Sequence, residues 1–156
     1  WDMESGSCVS TMSLPPEVLS VISRGDGRHV VSCCGFRDDF KLRLWDLDAP
    51  RSCVREMSGH SNSVNELCML RDGRVASVSD DSTLRVWDLG RESCVQSLSG
   101  SMMSDVCQLS TGQVVTSGHG SGGHHTVRVW DLSSGMIVKS FSPGGSNLFI
   151  ARELLA

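Results

Sequence analysis

The sequence of 156 residues contains no tyrosine and only four phenylalanines, and aromatic residues make up 5% of it. It has no excess of basic charge, because 14 Lys and Arg stand against 18 Asp and Glu, which gives a net charge of −4. Such a balance is a poor basis for attraction to nucleic-acid phosphates. The chain has no apolar run near the roughly 20 residues of a membrane-spanning helix, and it does not begin with a secretory signal. We therefore expect neither nucleic acid nor membrane as a partner.

The four tryptophans are the most informative residues, because each is followed by aspartate. The pairs begin at Trp1, Trp45, Trp87 and Trp130, at spacings of 44, 42 and 43 residues. The residues around the last three tryptophans are also repeated, and they read KLRLWDL, TLRVWDL and TVRVWDL. A fixed period of this length indicates an internal structural repeat.

The hydrophobic pattern of each repeat predicts four short strands. In the repeat that ends near residue 98, the segments 64–70, 75–79, 83–87 and 94–98 are apolar or alternate with period two. An Asp-Gly pair at Gly73 marks a hairpin turn, because glycine accepts the positive φ that such turns need. Four antiparallel strands in about 43 residues describe one blade of a propeller.

At this point the sequence resembles the WD-repeat (WD40-type) β-propeller family. The resemblance rests on the pair Gly59-His60, the Asp-Gly hairpin, the Ser-x-Ser-x-Asp stretch that ends at Asp81, and the closing Trp87-Asp88. It implies an all-β fold of antiparallel four-stranded blades. We expect three full blades at 15–57, 58–98 and 99–141, between the end of a preceding repeat at 1–14 and the start of another at 142–156. Because the chain begins with Trp and ends in blade fragments, we expect a partial propeller, open at both ends, from a longer protein.

The resemblance also implies a buried hydrogen-bond network in each blade, running from His through Ser or Thr and Asp to Trp. The first and third repeats lack the Gly-His pair, so we expect reduced versions there, with Ser32 a possible partner in the first. Read in isolation, a His, Ser and Asp could suggest a hydrolase triad, but the repeat assigns them to holding a blade together. The expected network residues are His60, Ser77, Asp81, Trp87, Asp39, Trp45, Thr116 and Trp130.

Strand alternation places the loop that holds His60 and the turn that holds Asp81 at the same end of a blade. In the resembled family, this end is the usual face for partners. An aromatic, an arginine and adjacent methionines are plausible binding hot spots there. Equally, the aromatic could tuck into its own hairpin, and the methionines could fill the gap between blades. The expected partner-binding residues are Phe36, Arg37, Asp38, Asn62, Asp80, Met102, Met103 and His124.

Three histidines in one glycine-rich segment raise the question of a metal. His119, His124 and His125 lie within seven residues and could hold zinc or copper. No cysteine pair or carboxylate lies near them, however, and four glycines make the loop costly to order. The sequence favours a flexible hairpin insertion, and we predict neither a metal nor a cofactor.

The seven cysteines follow the repeat rather than a disulfide pattern. Cys53 and Cys94 share one position of the fourth strand with Cys8, and Cys68 and Cys107 share the position of an isoleucine in the first strand. This phase and the odd count favour small, reduced core residues in an intracellular protein, cytoplasmic or nuclear. The adjacent Cys33-Cys34 should point to opposite faces of a strand, which could leave one of them exposed and reactive.

The site patterns favour a non-catalytic scaffold that presents propeller loops to protein or peptide partners, within a larger complex or a longer chain. No nucleophile is paired with a base, and the glycines at 118–123 lack the lysine and helix of a phosphate loop. One alternative is the substrate-recognition subunit of a ubiquitin ligase. Receptors that dock on the cullin adaptor carry Arg two residues after Trp-Asp, where this chain has Glu4, Asp48, Gly90 and Ser133. The other alternative is the non-catalytic repeat part of a larger enzyme.

Overall fold

The computed structural model describes residues 2–8, 11, 14, 17–35, 38–49, 53–120 and 124–142. This part of the chain forms twelve β-strands and no helix. The strands are β1 Val18–Ser23, β2 His29–Cys34, β3 Leu42–Asp46, β4 Cys53–Met57, β5 Val64–Met69, β6 Val75–Ser79, β7 Thr83–Asp88, β8 Ser93–Ser99, β9 Met103–Gln108, β10 Val114–His119, β11 His125–Asp131 and β12 Met136–Phe141.

Consecutive groups of four strands form three antiparallel sheets, β1–β4, β5–β8 and β9–β12, each in sequence order. The predicted all-β fold of four-stranded propeller blades is confirmed. In the middle sheet, every strand ends within one residue of its predicted limit. The expected blade fragment at 142–156 lies outside the described residues except for 142, and the predicted blade limits remain predictions.

The hairpins between the first two strands of the second and third sheets turn on glycine. Gly73 has φ +83° and donates its backbone N–H to Leu70 at 2.9 Å. Gly112 has φ +88° and donates to Leu109 at 3.0 Å in the same way. A residue with a Cβ is disfavoured at such angles, so the Asp-Gly and Thr-Gly pairs fix where each strand reverses.

The core lies between neighbouring sheets, with the first strands β1, β5 and β9 side by side at the inner edge. The first and second sheets bury an apolar cluster that includes Leu44, Met57 and Trp87. The second and third bury another, which includes Val86 and Trp130. Trp87 and Trp130 thus each pack against the preceding sheet in the chain.

One face of the first sheet is exposed, whereas the equivalent faces of the second and third sheets are buried. Val21, Leu67 and Val106 occupy the same register position in β1, β5 and β9. Leu67 and Val106 are 1% and 2% exposed, whereas Val21 is 49% exposed. The described residues therefore form an arc whose first sheet exposes an apolar surface.

The antiparallel order puts the connections at two ends of the arc. The hairpin face contains residues 24–28, 70–74 and 109–113, which join the first and second strands of each sheet. The loop face contains the connections at the other end, which are residues 35 and 38–41, 58–63, 80–82, 100–102, and 120 with 124. The candidate functional residues that the structure describes lie on the loop face or directly beneath it.

Candidate functional site: the loop face and the network beneath it

Four side chains of the middle sheet form a continuous buried hydrogen-bond network. His60 comes from the loop before β5, and its Nδ1 lies 2.8 Å from Asp81 Oδ2 in the turn after β6. Its Nε2 lies 2.7 Å from Ser77 Oγ on β6. The indole Nε1 of Trp87 on β7 donates to the same Ser77 Oγ at 2.7 Å. The structure thus brings together His60, Ser77, Asp81 and Trp87, as the resemblance to the WD-repeat family implies.

Only one proton arrangement satisfies every group of this network when His60 is neutral. Because Trp87 donates to Ser77 Oγ, the Ser77 hydroxyl is free to donate to His60 Nε2. The proton of His60 then sits on Nδ1, which donates to the carboxylate of Asp81. Among the described residues, no buried side-chain nitrogen or oxygen lacks a hydrogen-bond partner.

Burial and hydrogen bonding favour neutral His60 beside ionised Asp81. Burial lowers the pKa of His60, and the nearby Asp81 carboxylate opposes this only in part. Burial alone would raise the pKa of Asp81, but hydrogen bonds from Thr83, His60 and the Ser61 amide hold it at about 2. Because the side chain of His60 and the whole of Ser77 are 0% exposed, a substrate cannot reach them. The network therefore links the loop before β5 to β6 and β7 within one sheet, and its histidine and serine are not accessible from the surface of this structure.

The glycine before His60 allows close packing against Trp87. A Cβ on Gly59 would lie 2.8 Å from Arg85 Nη1 and 3.0 Å from Trp87 Cη2. The absence of a side chain at residue 59 thus lets the loop pass over the edge of the indole. The Gly-His pair combines this close approach with the network histidine.

The first and third sheets keep the bond from tryptophan to a hydroxyl but lack the histidine. Trp45 Nε1 donates to Ser32 Oγ at 2.8 Å, and Trp130 Nε1 donates to Thr116 Oγ1 at 2.9 Å. Asp39, expected in the network of the first sheet, instead forms an ion pair with Arg43 at 2.9 Å. The reduced networks consist of the indole and one hydroxyl acceptor.

The third sheet replaces Gly-His by Gly100-Ser101. A Cβ on Gly100 would contact the Trp130 ring at 3.3 Å, so this loop also crosses an indole edge. Ser101 Oγ accepts a hydrogen bond from Arg128. This bond links the loop to β11, whereas His60 links its own loop to β6 and to the following turn.

Most of the described partner-binding candidates are accessible on the loop face. Asp38, Asn62 and His124 are exposed, and Met102 is 46% exposed. Asp80 is half-buried, because its Oδ1 accepts a hydrogen bond from Asn65 at 2.7 Å. Phe36 and Arg37 lie outside the described residues.

Met103 is not accessible on the loop face, so the prediction that Met103 binds a partner is wrong. Its side chain is 0% exposed and packs in the core between the second and third sheets. Met103 is the first residue of β9, and Val64, the first residue of β5, is buried in the same way. Burial excludes Met103 from contact with a partner.

Asn65 supports the loop face and was missed in the sequence. Its Nδ2 donates to Asp80 Oδ1 at 2.7 Å and to the backbone oxygen of Met103 at 2.8 Å, which joins the second and third sheets. Leu19 and Ser104 occupy the bulged position in β1 and β9 that Asn65 occupies in β5. Since the other repeats have no amide there, the sequence carried no repeated signal for this bridge.

The adjacent cysteines are both buried, which corrects the expectation that one could be exposed and reactive. Cys33 Sγ donates to Val64 O at 3.1 Å, and Cys34 Sγ donates to Glu17 O at 3.3 Å. Burial raises the pKa of Cys33 to about 12. Cys8 is the exposed cysteine of the seven.

Two further cysteines line a cleft at the inner edge of the arc. Cys68 and Cys107 contribute to an open cleft of about 290 Å³, together with Ile22, which holds the same register position in β1. Arg71 and Gln108 stand at the same cleft and add polar groups to it. The cysteines that share a repeat position thus share a structural environment.

Comparisons with known proteins agree with the fold. The sequence model of "WD domain, G-beta repeat" matches residues 6–46 and 51–88, about half of the chain. The crystal structure of the WD40 beta propeller domain of Doa1 covers 81% of this chain and 41% of that one, with a TM-score of 0.69 and 21% sequence identity. The third sheet lies outside the matched residues, yet it has the same strand order as the other two.

Curated relatives extend over most of the sequence. Nuclear distribution protein nudF of Aspergillus niger is 30% identical over 146 residues, covering 90% of this chain and 32% of the relative. Protein tipD of Dictyostelium discoideum is 30% identical over 142 residues, covering 86% and 21%. The chain therefore spans a third or less of these relatives.

The family defines the general class of the protein. No helix in the described part is long and apolar enough to cross a membrane. Propellers of the matched family are typically non-catalytic and generally act as scaffolds that bind protein partners. On the family match and the three four-stranded sheets, the chain belongs to the WD-repeat family of β-propellers.

Proposed function

We propose that this chain is part of a non-catalytic scaffold whose loop face binds a protein or peptide partner. The observation that carries the proposal is that loop 58–63 exposes Asn62 while hydrogen bonds to buried side chains fix the backbone of the loop. The backbone oxygen of Asn62 accepts a hydrogen bond from Ser79 Oγ at 3.1 Å, and the Ser61 amide donates to Asp81 at 3.1 Å. A surface fixed in this way loses little conformational freedom when a partner binds.

Met102 supplies an apolar contact on the same face. It is 46% exposed, while its neighbour Met103 is anchored in the core. The backbone oxygen of Met102 accepts a hydrogen bond from His119 N at 2.9 Å. A flexible thioether on a fixed backbone, with polar Asn62 and Asp80 on the neighbouring loops, resembles the apolar centre and polar rim of many interfaces.

The cytoplasm or nucleus is the proposed location of the scaffold. The buried thiols of Cys33 and Cys34 support this location. Thiols used as small core residues are typical of compartments that keep cysteines reduced. The proposal concerns the whole protein, since the chain covers only part of its relatives.

Site-specific crosslinking in cells tests the loop face. A photo-crosslinking amino acid is placed at Asn62, at Met102 or, as a matched control, at the exposed Thr111 on the hairpin face. We expect the same protein to be captured from residues 62 and 102 and not from 111. For that purified partner, Met102→Ala should weaken binding at least about fivefold, the effect of losing one hot-spot side chain. Capture from residue 111 alone would move the interface to the hairpin face and refute the proposal.

A further inference from the structure

The hairpin between β10 and β11 carries two histidines directly opposite each other. His119 and His125 pair across the strands, one step beyond the pair Gly118 and Thr126. Their ring centres lie 4.6 Å apart, with the ring planes at 43°. His119 is exposed and His125 is half-buried, so both rings are at the surface of the loop face.

The backbone under this pair is held in place. His119 N donates to the oxygen of Met102 at 2.9 Å, and Gly120 N donates to the oxygen of His124 at 2.7 Å. A Cβ on Gly118 would lie 2.0 Å from the oxygen of Met102, so only glycine allows β10 to approach that loop so closely. Because their backbones are fixed, the two imidazoles lose little conformational entropy when they are held together.

The separation of the rings suits two ligands of one metal ion. A metal bound to imidazole nitrogen at about 2.0–2.1 Å lies about 3.2 Å from the ring centre, so two rings at bond angles of about 90–110° have centres about 4.5–5.2 Å apart. The separation of 4.6 Å falls within that interval. The spacing of the two rings therefore matches that of two imidazoles bound to one ion.

We propose that His119 and His125 form a two-imidazole site for a divalent transition ion of the zinc, nickel and copper group. Imidazole suits these ions, whereas magnesium and calcium prefer oxygen ligands. Within the described residues, no group of three or more His, Cys, Asp or Glu side chains is placed to hold a metal. The site thus leaves coordination positions open to water or to a donor group of a bound partner.

Isothermal titration with ZnCl₂ or NiCl₂ alone tests the site on protein without a purification tag. All variants carry Cys8→Ser, because Cys8 is an exposed thiol that would compete for the ion. We expect one ion per chain. His119→Ala and His125→Ala should each weaken binding at least about tenfold, because the second imidazole then no longer acts at a high effective concentration. His29→Ala is the matched control, since His29 is paired with Asp26 away from the loop face, and it should bind as the parent does.

A second readout locates the ion independently of affinity. Paramagnetic Ni²⁺ should broaden the NMR signals of His119 and His125 before those of His29. Absence of binding by the parent protein, or equal binding by the double variant His119→Ala/His125→Ala, would overturn the proposal. A large loss in His124→Ala, with His119→Ala unaffected, would also overturn the assignment of these two ligands.

Discussion

Removing the network histidine should destabilise the protein by about 2–3 kcal/mol. His60→Ala deletes a hydrogen bond to an ionised carboxylate, worth about 1.5–3 kcal/mol, and one to a neutral hydroxyl, worth about 0.5–1.5 kcal/mol. The partners are not fully stranded, because Ser77 still accepts from Trp87, and Asp81 still accepts from the Ser61 amide. The expected loss therefore lies below the sum of the upper limits.

Thermal unfolding followed by circular dichroism measures this loss. For a chain of this size, about 2–3 kcal/mol corresponds to a decrease in Tm of about 5–10 °C. Ser101→Ala is the matched control, because Ser101 occupies the place of His60 in the third sheet but only accepts one bond from Arg128. Its effect should stay below about 1 kcal/mol.

Hydrogen exchange adds a local readout to the same variant. The indole N–H of Trp87 bonds to Ser77, so its exchange should accelerate in His60→Ala more than that of Trp130 in the third sheet. A Tm within about one degree of the parent would refute the reasoning on the network. An equal acceleration at both tryptophans would mean that His60 acts on the whole arc rather than on its own sheet.

The remaining predictions concern pH, packing and thiol reactivity. Burial lowers the pKa of His60 in the folded state. Below about pH 6.5, the unfolded chain therefore binds a proton on this histidine that the folded chain does not, and the stability of the parent should fall as the pH drops. The Tm difference between the parent and His60→Ala should accordingly be smaller at pH 5 than at pH 7. Gly59→Ala should lower the Tm more than Gly100→Ala, because the new Cβ would lie 3.0 Å from the buried indole of Trp87, against 3.3 Å from that of Trp130. Equal shifts would contradict the packing argument. Iodoacetamide followed by mass spectrometry should label exposed Cys8 and spare Cys33, whose burial raises its pKa to about 12; labelling of Cys33 in the folded protein would disprove its burial.

The strands were predictable because the repeat supplied internal alignment, and the middle network because the sequence resembles the WD-repeat family. The Trp-Asp pairs fix β3, β7 and β11, and the hairpin glycines fix the preceding reversals. The resemblance to the WD-repeat family, and not internal spacing, placed His60 and Asp81 in the network, since the other two repeats lack the Gly-His pair. The paired tryptophan and hydroxyl in all three sheets show that this bond is the constant part of the network.

Met103 was misplaced because the connecting loops differ in length. Val64, the first residue of β5, lies five positions after Gly59, but Met103, the first residue of β9, lies only three positions after Gly100. Counting from the glycine therefore puts Met103 in the loop, whereas the register of the sheet puts it in the core. Only the pairing of Met103 with Gly118 settles its position.

Burial of Cys34 depends on tertiary structure that strand alternation does not contain. Alternation correctly sends Cys33 and Cys34 to opposite sides of β2, but it does not say whether each side is covered. Cys33 faces Val64 of the second sheet, and Cys34 bonds to the backbone of Glu17. Likewise, three histidines among glycines do not reveal which two meet, because the pairing of His119 with His125 depends on where the hairpin closes.

A backbone hydrogen bond of the same kind supports the loop face in the second and third sheets. Asp80 N donates to the oxygen of Ser63 at 3.0 Å, and His119 N donates to the oxygen of Met102 at 2.9 Å. In the second sheet, His60 and Asp81 add side-chain bonds that tie the loop before β5 to the turn after β6. Because the backbone bond needs no particular side chain at residue 101, the third repeat keeps its loop attached without a Gly-His pair. Exposed side chains that take no part in these bonds, such as Met102, can therefore vary with the partner while the backbone beneath them stays fixed.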